Sequence, residues 1–351
     1  MTCCGLETHS AGTRILAVIL DLDGTLLDTE RATKDILKDL LRKYGKVVDR
    51  EMEDNRFGMM HKEFTETIVK DYDLPLTPDQ FSNEILPFYH QRWPLASALP
   101  GANRLIRHLH KHGVPLALAS NSRTNNIEEK ISHQQGWKEL FAIVLGSDQV
   151  NAGKPSPDIF LEAAKRIGVD PGYCLVIEDS LVGVMAAKAA GMKVVVVPSV
   201  QTQADRYSVT DFVLLLLLEF QPEPWGLPAF EDWVMNALPI EPMHVKGLLQ
   251  KGFLLEVADD VPSSLADQVS KVCFGWAKLN TDEILKVVVG IGWKWDSCTT
   301  RRLIQPLLIG KSNKFVSDHF QVLLVGFIRG LRDKEKKLID IELVEEDKLI
   351  T

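Results

Sequence analysis

The sequence is poor in the features that mark several large protein classes. Its five cysteines, Cys3, Cys4, Cys174, Cys273 and Cys298, are odd in number and show no C-x-x-C spacing. That argues against a disulfide scaffold and a cysteine zinc site and favours a reducing compartment. Basic charge is in deficit, with 40 Lys+Arg against 48 Asp+Glu and a formal charge of −8. Such a chain has no surplus to neutralise nucleic-acid phosphates or to hold an acidic lipid surface, so neither a nucleic acid nor a membrane is an expected partner. The longest apolar run, Phe212 to Leu218, is far shorter than the ~20 residues that span a bilayer and is expected to form a buried strand or helix. Residues Met1 to Glu7 carry neither a basic and apolar signal pattern nor an Arg-rich one, so a cytoplasmic location is expected.

What the chain does have is length and apolar content, 351 residues at 45% hydrophobic, enough for two cored domains. The negative charge is confined to the first of them: residues 1–238 hold 24 Lys+Arg against 32 Asp+Glu, and residues 239–351 hold 16 of each. From Arg14 to about Leu218, short β-branched runs alternate with helical periods, the pattern of an α/β doubly wound parallel sheet. Strands are expected at Ile15–Leu20, Pro115–Ala119, Ile143–Gly146, Cys174–Ile177 and Lys193–Val197, with helices at Ala102–His112, Thr124–His133, Pro157–Ile167 and Val182–Ala190. The stretch from about 33 to 98 has amphipathic helical spacing, as in Lys34 to Leu41, and is too long for a loop; it reads as an inserted helical subdomain. The first domain is expected to span 14–220. A Pro-rich linker follows over 221–238, with one short helical stretch at Phe230–Ala237. Residues 239–351 read as a small antiparallel sheet or β-barrel, with strands at Val272–Ala277, Ile284–Ile291 and Phe320–Ile328, and a closing helix over Asp333–Leu349.

The chemistry concentrates where strands end. Asp21-Leu22-Asp23-Gly24-Thr25 directly follows the first strand, and in an open parallel sheet the crevice lies beyond the carboxyl ends of the strands. Asp21 there suits a nucleophile toward phosphorus, since a carboxylate forms an aspartyl-phosphate and divides one hard displacement into two easier ones. Asp23 suits the acid that protonates the leaving oxygen and the base that later activates water. Gly24 allows close backbone approach, and Thr25 adds a hydroxyl to a phosphate cradle. Ser120-Asn121-Ser122 follows the second strand, placing Ser120 and Asn121 beside a phosphoryl oxygen. Lys154, just ahead of a Pro-initiated helix, can neutralise charge that builds up in the transition state. Glu178 and Asp179 follow the fourth strand and suit a hard divalent cation, Mg²⁺, without which the carboxylates would repel a phosphate dianion.

Residue types, order and strand-end placement together resemble the haloacid dehalogenase superfamily over about residues 14–200. The resemblance implies Asp21 as nucleophile, Asp23 as acid/base, and Mg²⁺ held by Asp21, the Asp23 carbonyl and Asp179, with Glu178 assisting. It also implies that the insert is a cap closing over a small phosphomonoester. Dehalogenases of the superfamily lack an acid at the position of Asp23, so its presence points to phosphate chemistry.

Phe274-Gly275-Trp276-Ala277, Val289 to Trp293 and Val325 to Arg329, led in by Leu238-Pro239-Ile240-Glu241-Pro242, resemble the barrel of riboflavin kinases. With Pro100 to Leu109 they make nearly the whole chain similar to the plant bifunctional riboflavin kinase/FMN hydrolase family, which implies FMN as substrate and riboflavin as product. The kinase signature departs. Pro262-Ser263-Ser264-Leu265 puts Leu where the family has a metal-binding Asn, and Gln305 stands at the position of the family's general base. An amide cannot take that proton, and general-base catalysis is typically worth ~10²- to 10⁴-fold, so a nearly silent kinase is expected. The alternatives are a chain that also phosphorylates riboflavin with ATP, and a phosphatase for another small phosphomonoester whose barrel is a non-catalytic module. Gly310-Lys311-Ser312 lacks the first P-loop glycine, since Gln305 stands there. Trp276, Trp293 and Trp295 are read as barrel core rather than flavin-stacking groups.

Overall fold

A computed structural model describes residues 14–49, 52, 56, 58–198, 207–250, 252–256, 271–278, 284–296, 299–309, 320–331 and 347. The chain divides into two compact units, Met1–Ala229 and Phe230–Thr351.

The first unit is built on a parallel sheet of β1 (Ala17–Leu20), β2 (Leu116–Ala119), β3 (Ile143–Leu145), β4 (Cys174–Glu178), β5 (Lys193–Val196) and β6 (Phe212–Val213). The strand order is β3-β2-β1-β4-β5-β6. β1, Ala-Val-Ile-Leu, is buried throughout, as expected of a central strand covered by helices on both faces, where unbroken apolar runs replace alternation. Its neighbours are β2 and β4, so the order reverses at β1 and a crevice opens beyond the ends of β1, β2 and β4. Helices α4 (Ala102–Lys111), α5 (Thr124–Ile131), a short α6 (Trp137–Leu140), α7 (Asp158–Ile167) and α8 (Leu181–Ala189) connect the strands. Ile159, Phe160, Ala163 and Ala164 of α7 and Val184, Ala186 and Ala187 of α8 pack on Ile19, Ala117 and Val176.

Between β1 and α4 lie α1 (Thr29–Lys43), α2 (His61–Asp71) and α3 (Pro78–Arg92). They enclose a core of their own from Leu37, Leu40, Leu41, Ile68, Tyr72, Phe81 and Ile85. α3 starts on a reciprocal capping box of Thr77 and Gln80, with Pro78 in its first turn, which satisfies backbone donors that a helix start leaves open. A 3-10 turn, Trp93–Leu95, leads back toward the sheet.

The second unit is a closed antiparallel barrel of β7 (Leu238–Gln250), β8 (Phe253–Glu256), β9 (Lys271–Lys278), β10 (Ile284–Asp296), β11 (Thr299–Leu308) and β12 (Phe320–Gly330). Its order is β10-β11-β8-β7-β12-β9.

Several sequence expectations need correcting. Phe230–Ala237 is not helical: Met235 and Asn236 both have positive φ, 49° and 62°, and Val234 and Ala237 exchange backbone hydrogen bonds across them. That is a two-residue hairpin turn, which the Asn favours. The apolar run Phe212–Leu218 is no single buried element. Phe212 and Val213 form an exposed edge strand, and the chain then turns into a 3-10 turn at Leu217–Glu219 with Leu217 and Leu218 buried. Strands β7, β8 and β11 were not anticipated. Trp276 is 45% exposed rather than core, because the alternation of β9 buries Gly275 and Ala277. The expected helix Asp333–Leu349, Asp347 excepted, the segment Pro262–Leu265, Gly310-Lys311-Ser312, and the side chains of Trp293 and Trp295 lie outside the described residues.

Candidate active site

The crevice beyond β1, β2 and β4 collects the charged residues of the sheet. Asp21, one residue past β1, and Glu178, the last residue of β4, both meet Lys154, whose Nζ donates to Asp21 Oδ1 at 2.5 Å and to Glu178 Oε1 at 2.6 Å. Lys154 precedes α7, and all three side chains are buried. The other oxygen of Glu178 accepts from the backbone N–H groups of Asp179 and Ser180 and from Ser180 Oγ. Ser180 also caps α8 by accepting from the Gly183 N–H. Burial pushes Asp21 up to about 7; the positive charge of Lys154 opposes this, and the charges of Glu178 and Asp23 add to it. Burial also works against the charge of Lys154, but its two carboxylate partners prevail and raise it.

Asp23 has a separate set of partners. Lys130 Nζ donates to Oδ1 at 2.7 Å and to Oδ2 at 2.9 Å, while the Ser120 and Ser122 hydroxyls donate to Oδ2 at 3.2 and 3.1 Å. Burial would raise this carboxyl, yet the Lys130 charge and the hydrogen bonds from Lys130, Thr29 and Ser122 hold it below the usual range. Gly24 turns the chain at φ 79°, a left-handed conformation open to glycine without steric cost. The Thr25 hydroxyl donates to Asp179 Oδ1 at 3.4 Å. In this structure the Asn121 amide bridges backbone: Nδ2 donates to the carbonyls of Gly58 and Lys154, and Oδ1 accepts from the Lys154 N–H. Asn121 therefore braces the Lys154 loop and ties it to the helical insert.

The structure thus gathers Asp21, Asp23, Ser120, Lys154, Glu178 and Asp179 in one crevice. Sequence reasoning missed Lys130. Its signal was its place on α5, three residues after Ile127 and one before Ile131, all three of which are buried; that spacing puts Lys130 on the inward face of a helix.

The donor set fits a hard cation. Asp21, Glu178 and Asp179 present carboxylate oxygens within 4.8 Å of one another, and all three residues are buried. Including Asp23, four carboxyl groups face two ammonium groups, Lys154 and Lys130, so with all four ionised two negative charges stand uncompensated. One divalent cation carries that charge, and oxygen-only ligation is what Mg²⁺ takes. In the second unit Gln305 pairs with Gly290 across β11 and β10, and its Oε1 is buried with no hydrogen-bond partner.

A doubly wound parallel sheet with buried acids and lysines beyond its central strands defines the class, an α/β protein with a charged site at the sheet's switch point. The chain belongs to the haloacid dehalogenase-like hydrolases, whose family model it matches over residues 15–191. It is 46% identical over 324 residues to the bifunctional riboflavin kinase/FMN phosphatase of Arabidopsis thaliana, covering 89% of this chain and 86% of that protein. A probable pseudouridine-5'-phosphatase of Drosophila melanogaster is 38% identical over 227 residues, covering 62% of this chain and 97% of its own. Among solved structures, CbbY from Rhodobacter sphaeroides in complex with phosphate is similar with a TM-score of 0.52 at 26% identity, over 58% of this chain and 96% of that one. No helix among the described residues is long and apolar enough to cross a membrane.

Proposed function

We propose that the first unit is a Mg²⁺-dependent phosphomonoesterase and that FMN is its substrate, hydrolysed to riboflavin and phosphate. The observation that carries the chemistry is the pairing of each motif carboxylate, Asp21 and Asp23, with its own buried lysine at the sheet's switch point. The substrate follows from the similarity to the Arabidopsis thaliana FMN phosphatase, which extends across both units.

In this reading an Asp21 oxygen attacks phosphorus, and the bond to the flavin's ribityl oxygen breaks as that oxygen takes a proton from Asp23, which is ionised beside Lys130 in the free protein and receives that proton from the monoanion of the bound ester. Water then attacks the aspartyl-phosphate, Asp23 takes its proton, and phosphate leaves with Asp21 restored. Lys154 favours the ionised nucleophile that burial disfavours. Asp21, the Asp23 carbonyl and Asp179, with Glu178 assisting, would hold Mg²⁺, which when bound offsets the charge of the phosphoryl oxygens. Gly24, Thr25 and Ser120 line the phosphoryl group, and α1 to α3 act as a cap that excludes water.

The test is phosphate release from FMN, glycerol 3-phosphate and pseudouridine 5′-phosphate, compared by kcat/KM with Mg²⁺ present. FMN is expected to lead, while EDTA and Asp21→Asn each abolish turnover without unfolding the chain. Turnover retained by Asp21→Asn overturns the nucleophile, and a lead by another ester overturns FMN. Gln305 speaks against a kinase, and the full-length Asp21→Asn protein, unable to consume FMN, checks this with riboflavin, ATP and Mg²⁺. Robust FMN formation there would restore the second activity.

A further inference from the structure

Lys130 pairs with Asp23 but takes no step in the chemistry above, yet its placement is costly. It is 4% exposed at the end of α5, and a buried ammonium is tolerated only when closely paired. Its Nζ meets both oxygens of Asp23, the Ser122 hydroxyl at 2.8 Å, and the face of Trp93 at 4.7 Å from the ring centroid. Trp93 follows α3 directly, is itself buried, and packs against Tyr89 and His90 at ring separations of 5.5 and 5.0 Å. A second bond joins the same two helices, from His90 Nδ1 of α3 to Glu129 Oε2 of α5. Lys130 is therefore anchored to the insert on one side and to the motif carboxylate on the other.

We propose that Lys130 is a positioning residue that aims Asp23 at the leaving oxygen and ties that aim to the seat of the helical insert through Trp93. This rests on the phosphomonoesterase reading. Lys130 gives Asp23 two of its donor contacts, and the others come from the hydroxyls of Thr29, Ser120 and Ser122. The ammonium is the one charged donor and the one that meets both carboxyl oxygens, so without it the carboxyl plane is held by neutral hydroxyls alone. Proton delivery is then lost wherever the leaving group needs a proton, and nucleophilic attack by Asp21, paired with Lys154 instead, is left in place.

Leaving-group dependence reads this out. An alkyl phosphate such as FMN or glycerol 3-phosphate expels an alkoxide that must be protonated, whereas p-nitrophenyl phosphate expels a stable phenolate that need not be. The quantity to compare is kcat/KM, which reports the step that breaks the ester bond and not the later attack of water. Lys130→Met is expected to lose ~10²-fold or more on the alkyl esters, the scale of general acid catalysis, and about tenfold or less on the aryl ester. The ratio of the two is measured on one preparation, so partial misfolding cancels. Lys130→Arg, which keeps a cation over Trp93, is expected to hold the wild-type ratio. Equal losses on both classes in Lys130→Met, or an Arg variant as selective in its loss as Met, overturn the assignment. A wild-type protein that hydrolyses neither class overturns the phosphomonoesterase reading and this inference with it.

Discussion

Gly183 offers a probe of the site that replaces no charged group. It lies in the first turn of α8, and a Cβ built on it falls 2.5 Å from Glu178 Oε2 and closer still to Oε1 and Cδ. Glu178 has no room to give way. It is fully buried, and its oxygens are held by Lys154, by the Asp179 and Ser180 amides and by the Ser180 hydroxyl. In Gly183→Ala, either the carboxylate leaves Lys154 or the start of α8 moves off the sheet. The first outcome breaks a buried ion pair, worth ~3–5 kcal/mol; the second is overpacking, at ~1–3 kcal/mol. At about 2–4 °C per kcal/mol for a unit of this size, a loss of about 3 kcal/mol lowers Tm by about 6–12 °C. Activity falls more steeply, by ~10²-fold or more, since Lys154 loses one of the two carboxylates that aim it. Gly191→Ala is the control: its φ is +74° with nothing within 4 Å, so it pays only the left-handed conformation, ~1–2 kcal/mol, with kcat unchanged. Calorimetry and phosphate release on both variants settle the matter. A Gly183→Ala protein with wild-type Tm and rate would refute the placement of Glu178 and the role given to Lys154.

Two further perturbations act away from the acids. His61 hydrogen-bonds Ser82 at 2.7 Å, and burial, followed by the positive charges of Lys130, Arg123 and His90, holds its pKa below the usual 6.5. A folded pKa below the unfolded one means the folded state binds fewer protons. The stabilising contribution is therefore complete above the unfolded pKa and is lost as pH falls through the folded one. Between about pH 7.5 and pH 5, the Tm of wild type should drop further than that of His61→Gln; parallel curves would remove His61 as the cause. In the barrel, Arg329 grips the buried Asp347 with Nε to Oδ1 at 3.0 Å and Nη2 to Oδ2 at 2.9 Å. Arg329→Met strands that carboxylate at a cost of ~3–5 kcal/mol. Amide exchange should accelerate in β9 and β12 and stay unchanged in β1 and β4, and unchanged exchange in β12 would count against the pair.

The first unit was readable because its signals are local. β1, β2, β4 and β5 are short apolar runs bounded by polar strand ends, and the acids sit at those ends in chain order, so the crevice follows from the sheet rule alone. Lys130 was passed over because it stands inside a helix and not at a strand end, and its inward face on α5 shows only as a spacing from Ile127 and Ile131. In the barrel β9, β10 and β12 were legible, and β7, β8 and β11 were missed for a different reason. β7 carries Pro239 and Pro242, breakers that read as linker. The structure admits them where the pairing of β7 with β12 shifts register near Leu324 and Gly326, beyond the Gly247–Gln250 stretch that pairs with β8. Proline is tolerated at such irregular and half-paired positions. β11 hides behind Arg301, Arg302 and Pro306, and its described pairing with β8 is the single register of Ile304 with Leu254, so its sequence was never held to a two-sided apolar pattern.

The charges of the crevice show why its acids and its lysines come from opposite sides of the sheet's switch point. Asp21 and Asp23 follow β1, and Glu178 and Asp179 close β4, so all four carboxylates belong to β1 and the half of the sheet beyond it. Lys130 and Lys154 follow β2 and β3 on the other half. Neither half alone can bury its charges, because the acids would repel one another and the ammonium groups would lack partners. Burial of the cluster therefore requires β1 to be paired with β2 and β4 at once, which couples completion of the sheet to assembly of the site. The same division leaves the acid side in excess by two carboxyl groups, the charge that a divalent cation bound there would offset.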